Sequence, residues 1–326
     1  MPQEVLALYS RWWQLETYLR SLLYVELRAS HGVEWINHIG QGATHRREQD
    51  KARRYMATAD WEDPLSYLDV SKLFPLLEAN WDLVEPSLMD KDVLFSRVPE
   101  LTSIRNRLGH LRRPHPDDLN RLEQTLRDLE GGAFTAYSTY NEDRVADSKL
   151  DDPVVAAWGR GEHETAQRLI NHARDQYEVN FHLSYSLRPS GQRPTRGAPV
   201  TGTRGAIWKA TFLLLSRDVK IPALWRDSYL NRNARELLIH MLVDFGSISF
   251  TFPAIDDGKR VSDAIGEAFD AILLNSHRGS PGRMPTEREV SETAMRSIHL
   301  DPRIQTGSGW NIVDETTVPV RIFGAH

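Results

Sequence analysis

The sequence contains no cysteine. Disulfides, thiolate nucleophiles and cysteine zinc sites are therefore excluded, and the composition fits a reducing compartment. Long apolar runs are missing as well. The longest, such as Thr-Phe-Leu-Leu-Leu-Ser at 211–216, falls far short of the roughly 18–20 residues that cross a bilayer. The N-terminal segment is aromatic and carries Glu4 ahead of any cation, with no basic segment before an apolar one, so it does not read as a signal peptide. A soluble cytoplasmic protein with no membrane partner is expected. HExxH, the phosphate-binding lysine loop and GxSxG are all absent. His163 and His172 lie nine positions apart, about 180° around a helix, so they cannot share one ion on a straight helix. No metal and no cofactor is expected. Positive charge is not in excess either: 40 Lys and Arg stand against 45 Asp and Glu, a net charge of -5. That balance excludes a protein that coats nucleic acid non-specifically, and any polyanion binding must come from a local patch.

What is present reads as an ordinary globular chain. Its 326 residues predict two domains, and 40% hydrophobic with 26% charged residues suffices to build them. No repeats are visible. In residues 5–27, Val5, Leu8, Trp12, Leu15, Leu19, Leu22 and Leu23 recur at three- and four-residue steps, which predicts a helix closed by Gly32. Residues 40–60 are polar and read as a loop with an exposed helix. Periodicity returns at Leu68, Leu73, Leu76, Leu77 and Trp81, where Pro75 predicts two short helices or a kink. A further helix is expected with Ser96 as its cap, Pro99 in its first turn, and Leu101, Ile104, Leu108 and Leu111 on its buried stripe. The next helix would be capped by Asp117 and stopped by Gly131-Gly132.

The expected organisation is an all-α domain over 1–131, a polar connector at 132–152 and an α+β domain over 153–326. In the latter, 154–175 predicts an interrupted helix. Val179, Phe181, Leu183, Tyr185 and Leu187 alternate as a strand does. Strands are also expected near 206–215 and 247–252, flanking a helix at about 227–243. Helices near 260–275 and 287–299 and a final strand around 318–323 complete it.

The residues that carry chemistry sit at 105–110: Arg-Asn-Arg-Leu-Gly-His. Solvated helix faces mix signs, yet residues 101–113 contain no acid. If Leu101, Ile104 and Leu108 face the core, Asn106 and His110 fall on the far side. Arg105 and His110 are then about 140° and about 7.5 Å of rise apart, so one phosphate meets both only through the reach of arginine, a bend near Gly109, or a second copy of the motif.

This R-N-x-x-x-H run resembles the signature of the HEPN superfamily of ribonucleases and nucleotide-binding helical domains. The tryptophan-rich segment 12–35, with Glu16, Leu19 and Arg20, resembles the first long helix of such domains, and 63–84 resembles the segment ahead of their motif. The likeness covers residues 5–131, about two-fifths of the chain, and departs from the family at Gly109, where another small residue is usual. It implies a HEPN helical bundle and a metal-independent endoribonuclease: the RNA 2′-hydroxyl attacks the adjacent phosphate, giving a 2′,3′-cyclic phosphate and a 5′-hydroxyl. By the same resemblance His110 is the general acid/base, Arg105 stabilises the phosphorane, and Asn106 orients the site. Histidine and arginine suit those roles chemically. It further implies a homodimer whose two motifs share one composite cleft, a toxin or anti-phage defence effector acting on tRNA or mRNA, and an antitoxin or defence partner. The alternative it leaves open is a HEPN domain without catalysis, serving as a dimerisation adaptor or nucleotide-binding module.

Arg107, Arg112, Arg113 and His115 would extend the positive field along RNA. Glu16 and Arg20 read equally as an i,i+4 ion pair and as partners that position Arg105. Trp12, Trp13, Trp35 and Trp81 read as core or dimer interface rather than base platforms. Finally, 186–235 holds ten cations against Asp218 and Asp227, with Trp208, Phe212, Trp225 and Tyr229 interleaved. Arg188, Arg193, Arg196, Arg204 and Lys209 are its candidates for an RNA groove or polyanion sensor. The competing reading is a flexible basic loop that neutralises the acidic segment 141–152.

Overall fold

The computed structural model describes residues 3–53, 64–195, 197–278, 301–306 and 309–310. These fall into two compact units.

The first unit, residues 3–26 and 37–138, is helical. Helix α1 (Gln3–His31) buries Leu8, Trp12, Leu15, Leu19, Leu22 and Leu23, the stripe its periodicity predicts. Its last residues, from Leu27, belong to the second unit. Helix α2 (Gln41–Ala52) follows, then α3 (Val70–Ala79) and the single turn α4 (Trp81–Val84). Two short helices do form here, but the break falls at Asn80. Pro75 lies within α3 on its exposed side, where the ring meets solvent rather than packed neighbours.

Helix α5 (Lys91–Gly109) carries the motif. It starts five residues before the expected cap at Ser96, because Asp90 accepts the backbone N–H groups of Asp92 and Val93 at 3.0 and 3.1 Å. Ser96 instead donates to the carbonyl of Val93, and Pro99 is an interior residue. Helix α6 (Asp118–Asn141) runs straight through Gly131-Gly132. Those glycines do not stop it. A Cβ at Gly132 would overlap the backbone of Ser87, whose carbonyl also accepts the Tyr18 hydroxyl. Gly132 is thus a close-approach position between two backbones, and 132–141 of the expected connector is helix.

The second unit takes residues 27–36 and 139–310. Strand β1 (Arg144–Val145) opens a six-stranded sheet. A wide helical turn at Val155–Gly159 and helix α7 (Glu164–His172) precede β2 (Val179–Leu187) and β3 (Ala206–Leu214). Then come β4 (Arg217–Val219), the short helices α8 (Ile221–Arg226) and α9 (Ala234–Leu237), β5 (His240–Asp244), β6 (Ser247–Pro253), α10 (Gly258–Leu274), β7 (Ser276–Arg278) and β8 (Ile304–Thr306). The sheet order is β1-β2-β3-β6-β5-β8, antiparallel except for the β5–β8 pair, and β4 pairs with β7 separately. No single helix occupies 227–243. Ile239 to Val243 are all buried, His240 included, and a segment buried on every side fits a central strand as well as a buried helix. The helix expected near 287–299 and the strand near 318–323 lie outside the described residues.

Helix α10 closes the core of this unit. Val261, Ala264, Ile265, Ala268, Phe269 and Ile272 are buried on it, and Phe269 stacks on Phe212 of β3 at 5.6 Å. Arg28 donates to the carbonyls of Glu236 and Leu237 at 2.9 and 2.6 Å, and Arg303 to that of Arg235 at 3.2 Å. The two guanidiniums thereby satisfy carbonyls that a one-turn helix leaves without partners. Gly32, with φ 55°, turns the chain out of α1. A side chain there would overlap Asp256 Oδ1, which accepts the Val33 N–H at 3.0 Å. Among the described residues, no helix is long and apolar enough to cross a membrane.

Candidate active site

Burial of Leu94, Leu101 and Ile104 sets the phase of α5. That phase leaves Asn106 and His110 exposed and Arg105 half-buried. The Arg105 side chain runs along the helix toward its C-terminus. A methyl group built on Gly109 would lie 3.6 Å from Arg105 Nη1 and 3.9 Å from its Cζ. The guanidinium therefore lies over Gly109, the residue that precedes His110. Neither the Arg105 guanidinium nor the His110 imidazole has a partner among the described residues. His110 is the C-cap (φ -101°, ψ 14°), and its N–H donates to the carbonyl of Asn106 at 3.1 Å.

The helix end is a tight reversal. Leu111 N–H donates to Leu108 O at 3.1 Å and Arg112 N–H to Arg107 O at 2.8 Å, the paired bonds of a Schellman turn. The residue such a turn holds in the left-handed region is normally glycine; here it is Leu111, with φ 55°. Leu111 is 94% exposed, so the stripe of buried leucines ends before it.

The acid missing from 101–113 comes from the next helix. Asp118, 2% exposed, accepts Arg107 Nε at 2.7 Å, the Nη2 of the same guanidinium, and the His115 N–H at 2.9 Å. This pairing holds the Arg107 guanidinium above its usual pKa. Arg107, expected as a phosphate contact, gives the Nε–Nη2 edge of its guanidinium to Asp118 and so braces the turn. Arg112, Arg113 and His115 are exposed around the turn, as a polyanion contact requires.

Glu16 and Arg20 form the ion pair at 3.2 Å. Glu16 also accepts from Trp12 Nε1 at 3.1 Å, and Arg20 donates to the Leu68 carbonyl at 2.9 Å. Both therefore brace α1, and no bond from either to Arg105 is present. Trp12 and Trp35 are core and Trp81 is half-buried against Phe95, whereas Trp13 is 52% exposed.

The basic stretch of the second unit resolves differently from expectation. Arg188 is 2% exposed, with its guanidinium over the rings of Tyr140 and Trp310 at 5.7 and 5.5 Å. That is a correction: a core cation cannot meet an RNA backbone. Lys209 pairs with Asp143 at 3.2 Å, so it neutralises part of the acidic segment, from strand β3 and not from the flexible loop of the competing reading. Trp208 and Phe212 are wholly buried and Trp225 nearly so, which removes them as base platforms. Arg193 is exposed, Arg204 is half-buried, and Arg196 lies outside the described residues.

No residue pattern marks the surroundings of the one histidine in β5. His240 is buried, with Nδ1 2.8 Å from the Tyr140 hydroxyl, which is 2.7 Å from Thr251 Oγ1. Burial, with the charges of Arg303, Arg188 and Arg28, lowers its pKa to about 3. It is a neutral core histidine with no open side for a substrate. Among the described residues, no group of three His, Asp or Glu side chains is placed to hold a metal ion. No family model, curated protein or solved structure matches this chain.

Proposed function

We propose that the protein is an endoribonuclease of the HEPN kind, cleaving RNA by attack of the 2′-hydroxyl on the adjacent phosphate. The reading rests on the run Arg105–His110 and its resemblance to that superfamily. The observation that carries it is the Arg105 guanidinium laid over Gly109, beside an exposed His110, with neither group engaged elsewhere among the described residues.

Arg105 offers its paired N–H donors to the non-bridging oxygens, where charge builds as the phosphorane forms. His110 takes the 2′-hydroxyl proton or returns a proton to the departing 5′-oxygen. One histidine cannot be base and acid in the same displacement, so two chains supplying one motif each give a complete site. Exposed Asn106, one turn before His110, adds a neutral donor to the phosphate. Arg112, Arg113 and His115 lie along the strand that enters or leaves. The cellular role proposed with this chemistry is a toxin or anti-phage effector acting on tRNA or mRNA.

The test is purified full-length protein on total RNA with excess EDTA, beside Arg105→Ala and His110→Ala. Cleavage that persists in EDTA, leaves 2′,3′-cyclic phosphate ends and falls at least ~100-fold in each variant is expected. RNA left intact, or cut equally by wild type and variants, overturns the reading. Nucleotide affinity without cleavage would replace it with a binding module.

A further inference from the structure

We propose that Leu111 is a substrate-contacting residue of this site, packing against an unstacked nucleobase next to the phosphate held by Arg105 and His110. The inference rests on the ribonuclease reading and deepens it. Three observations converge on the residue. It is the C′ residue of the motif helix, where φ 55° suits glycine and strains a leucine. It is 94% exposed, so its apolar surface gains nothing from the fold. And it directly follows His110, with Arg112 and Arg113 exposed after it.

Strain and solvated apolar surface are both unfavourable; the two Schellman bonds offset part of the first, and no described residue covers the second. Backbone strain at a non-glycine residue concentrates at ligand-contacting sites. The surrounding charge decides which ligand. Residues 105–116 hold four arginines and two histidines and no acid, and the one engaged arginine, Arg107, is turned toward Asp118. An exposed apolar side chain flanked along the chain by unpaired cations fits a strand that offers both phosphates and a base face. A peptide partner would need an acidic chain to satisfy the same cations.

The turn is also held before any ligand arrives. Asp118 ties the His115 N–H and the Arg107 guanidinium from one side, and the two Schellman bonds hold the other. Leu111 is therefore presented on a fixed backbone, which lowers the ordering cost of binding. A base stacked in a duplex has no free face, so the contact selects single-stranded RNA.

The experiment uses full-length protein, Leu111→Gly, Leu111→Asn, and single-stranded RNA 12-mers spanning a mapped cleavage site, intact or abasic at one position at a time. Both variants accept the left-handed conformation, so both should fold, and Leu111→Gly should melt about 2–4 °C higher. Expected is a roughly tenfold loss of kcat/KM on intact RNA for both variants. At one abasic position, wild type and variants should become equal. If wild type cleaves in a His110-dependent way and Leu111→Gly matches it on every RNA, the assignment of Leu111 fails while the ribonuclease reading stands. An equal loss on intact and on every abasic RNA also overturns it, since no base is then being read. If the variants instead lose only self-association or capture of an acidic protein, the contact is with protein and the proposal is wrong. If wild type and His110→Ala are alike on every RNA, the underlying reading fails and takes this inference with it.

Discussion

Replacing Asp118 with Asn should destabilise the helical unit by about 2 kcal/mol. Breaking a buried ion pair by removing one partner costs about 3–5 kcal/mol. Here Asp118 is 2% exposed but the Arg107 side chain is 29% exposed, so water screens and partly replaces the lost bonds and the smaller figure applies. Asparagine keeps the volume and one acceptor, which in the place of Oδ2 serves the His115 N–H and Arg107 Nε, while its NH2 group faces Nη2 and the charge of the pair is lost. Arg107→Ala should cost a similar amount, because it leaves the carboxylate buried with only the His115 N–H. The double variant should recover about 1–2 kcal/mol relative to the sum. Urea titration followed by far-ultraviolet circular dichroism reads these values as midpoint shifts at constant slope. Either single variant within ~0.3 kcal/mol of wild type refutes the brace. A second measurement separates the brace from a phosphate contact. In RNA binding across KCl concentrations, Arg112→Ala should reduce the salt slope by about 0.7, and folded Arg107→Ala should leave it unchanged.

Gly132→Ala should destabilise by about 1–3 kcal/mol in the same titration, since a Cβ overlaps the Ser87 backbone and two main chains must part. His240 makes stability depend on acid. Its folded pKa of about 3 lies below the unfolded value of 6.5, so the unfolded chain binds an extra proton between those values. Stability is then complete above pH 6.5 and falls by about 1.4 kcal/mol per pH unit below it. His240→Gln should remove that part of the slope between pH 6.5 and 5, read as the difference between two urea series. Arg188→Ala should lower stability by about 2–3 kcal/mol through lost packing on Tyr140 and Trp310, and leave the salt slope of RNA binding unchanged.

Much of the fold is legible in the residue pattern. The leucine stripe in the first part of α1, the alternation at the start of β2 and the span of α10 follow from periodicity. The misreadings share one cause. Gly131-Gly132 reads as a stop because glycine usually ends helices, yet here the missing side chain admits the Ser87 backbone. Residues 239–243 read as helix because a segment buried on every side has no period. Both are decided by what packs against the segment, which the segment does not encode. At the site, exposure of Asn106 and His110 follows from helical phase. The left-handed Leu111 does not, because the phase that puts it on the buried stripe assumes the helix continues past Gly109.

Charge read along a window fails for a related reason, and the failure sharpens the site. Both basic windows look unneutralised in sequence because their counterions lie outside them. Asp118 meets Arg107 and Asp143 meets Lys209. Aromatic faces take Arg188 at 5.5 Å, Arg232 at 4.6 Å and Arg235 at 4.5 Å. What survives this subtraction is informative. In the second unit Arg193, Lys220 and Arg226 have no partner among the described residues, and they are scattered along the chain. At the end of α5, Arg105, His110, Arg112 and Arg113 remain without partners inside nine consecutive positions. Self-repulsion among so many like charges is unfavourable in the free protein and is relieved by a polyanion, so the residue pattern that is poor for stability is the one that a phosphate backbone would complete.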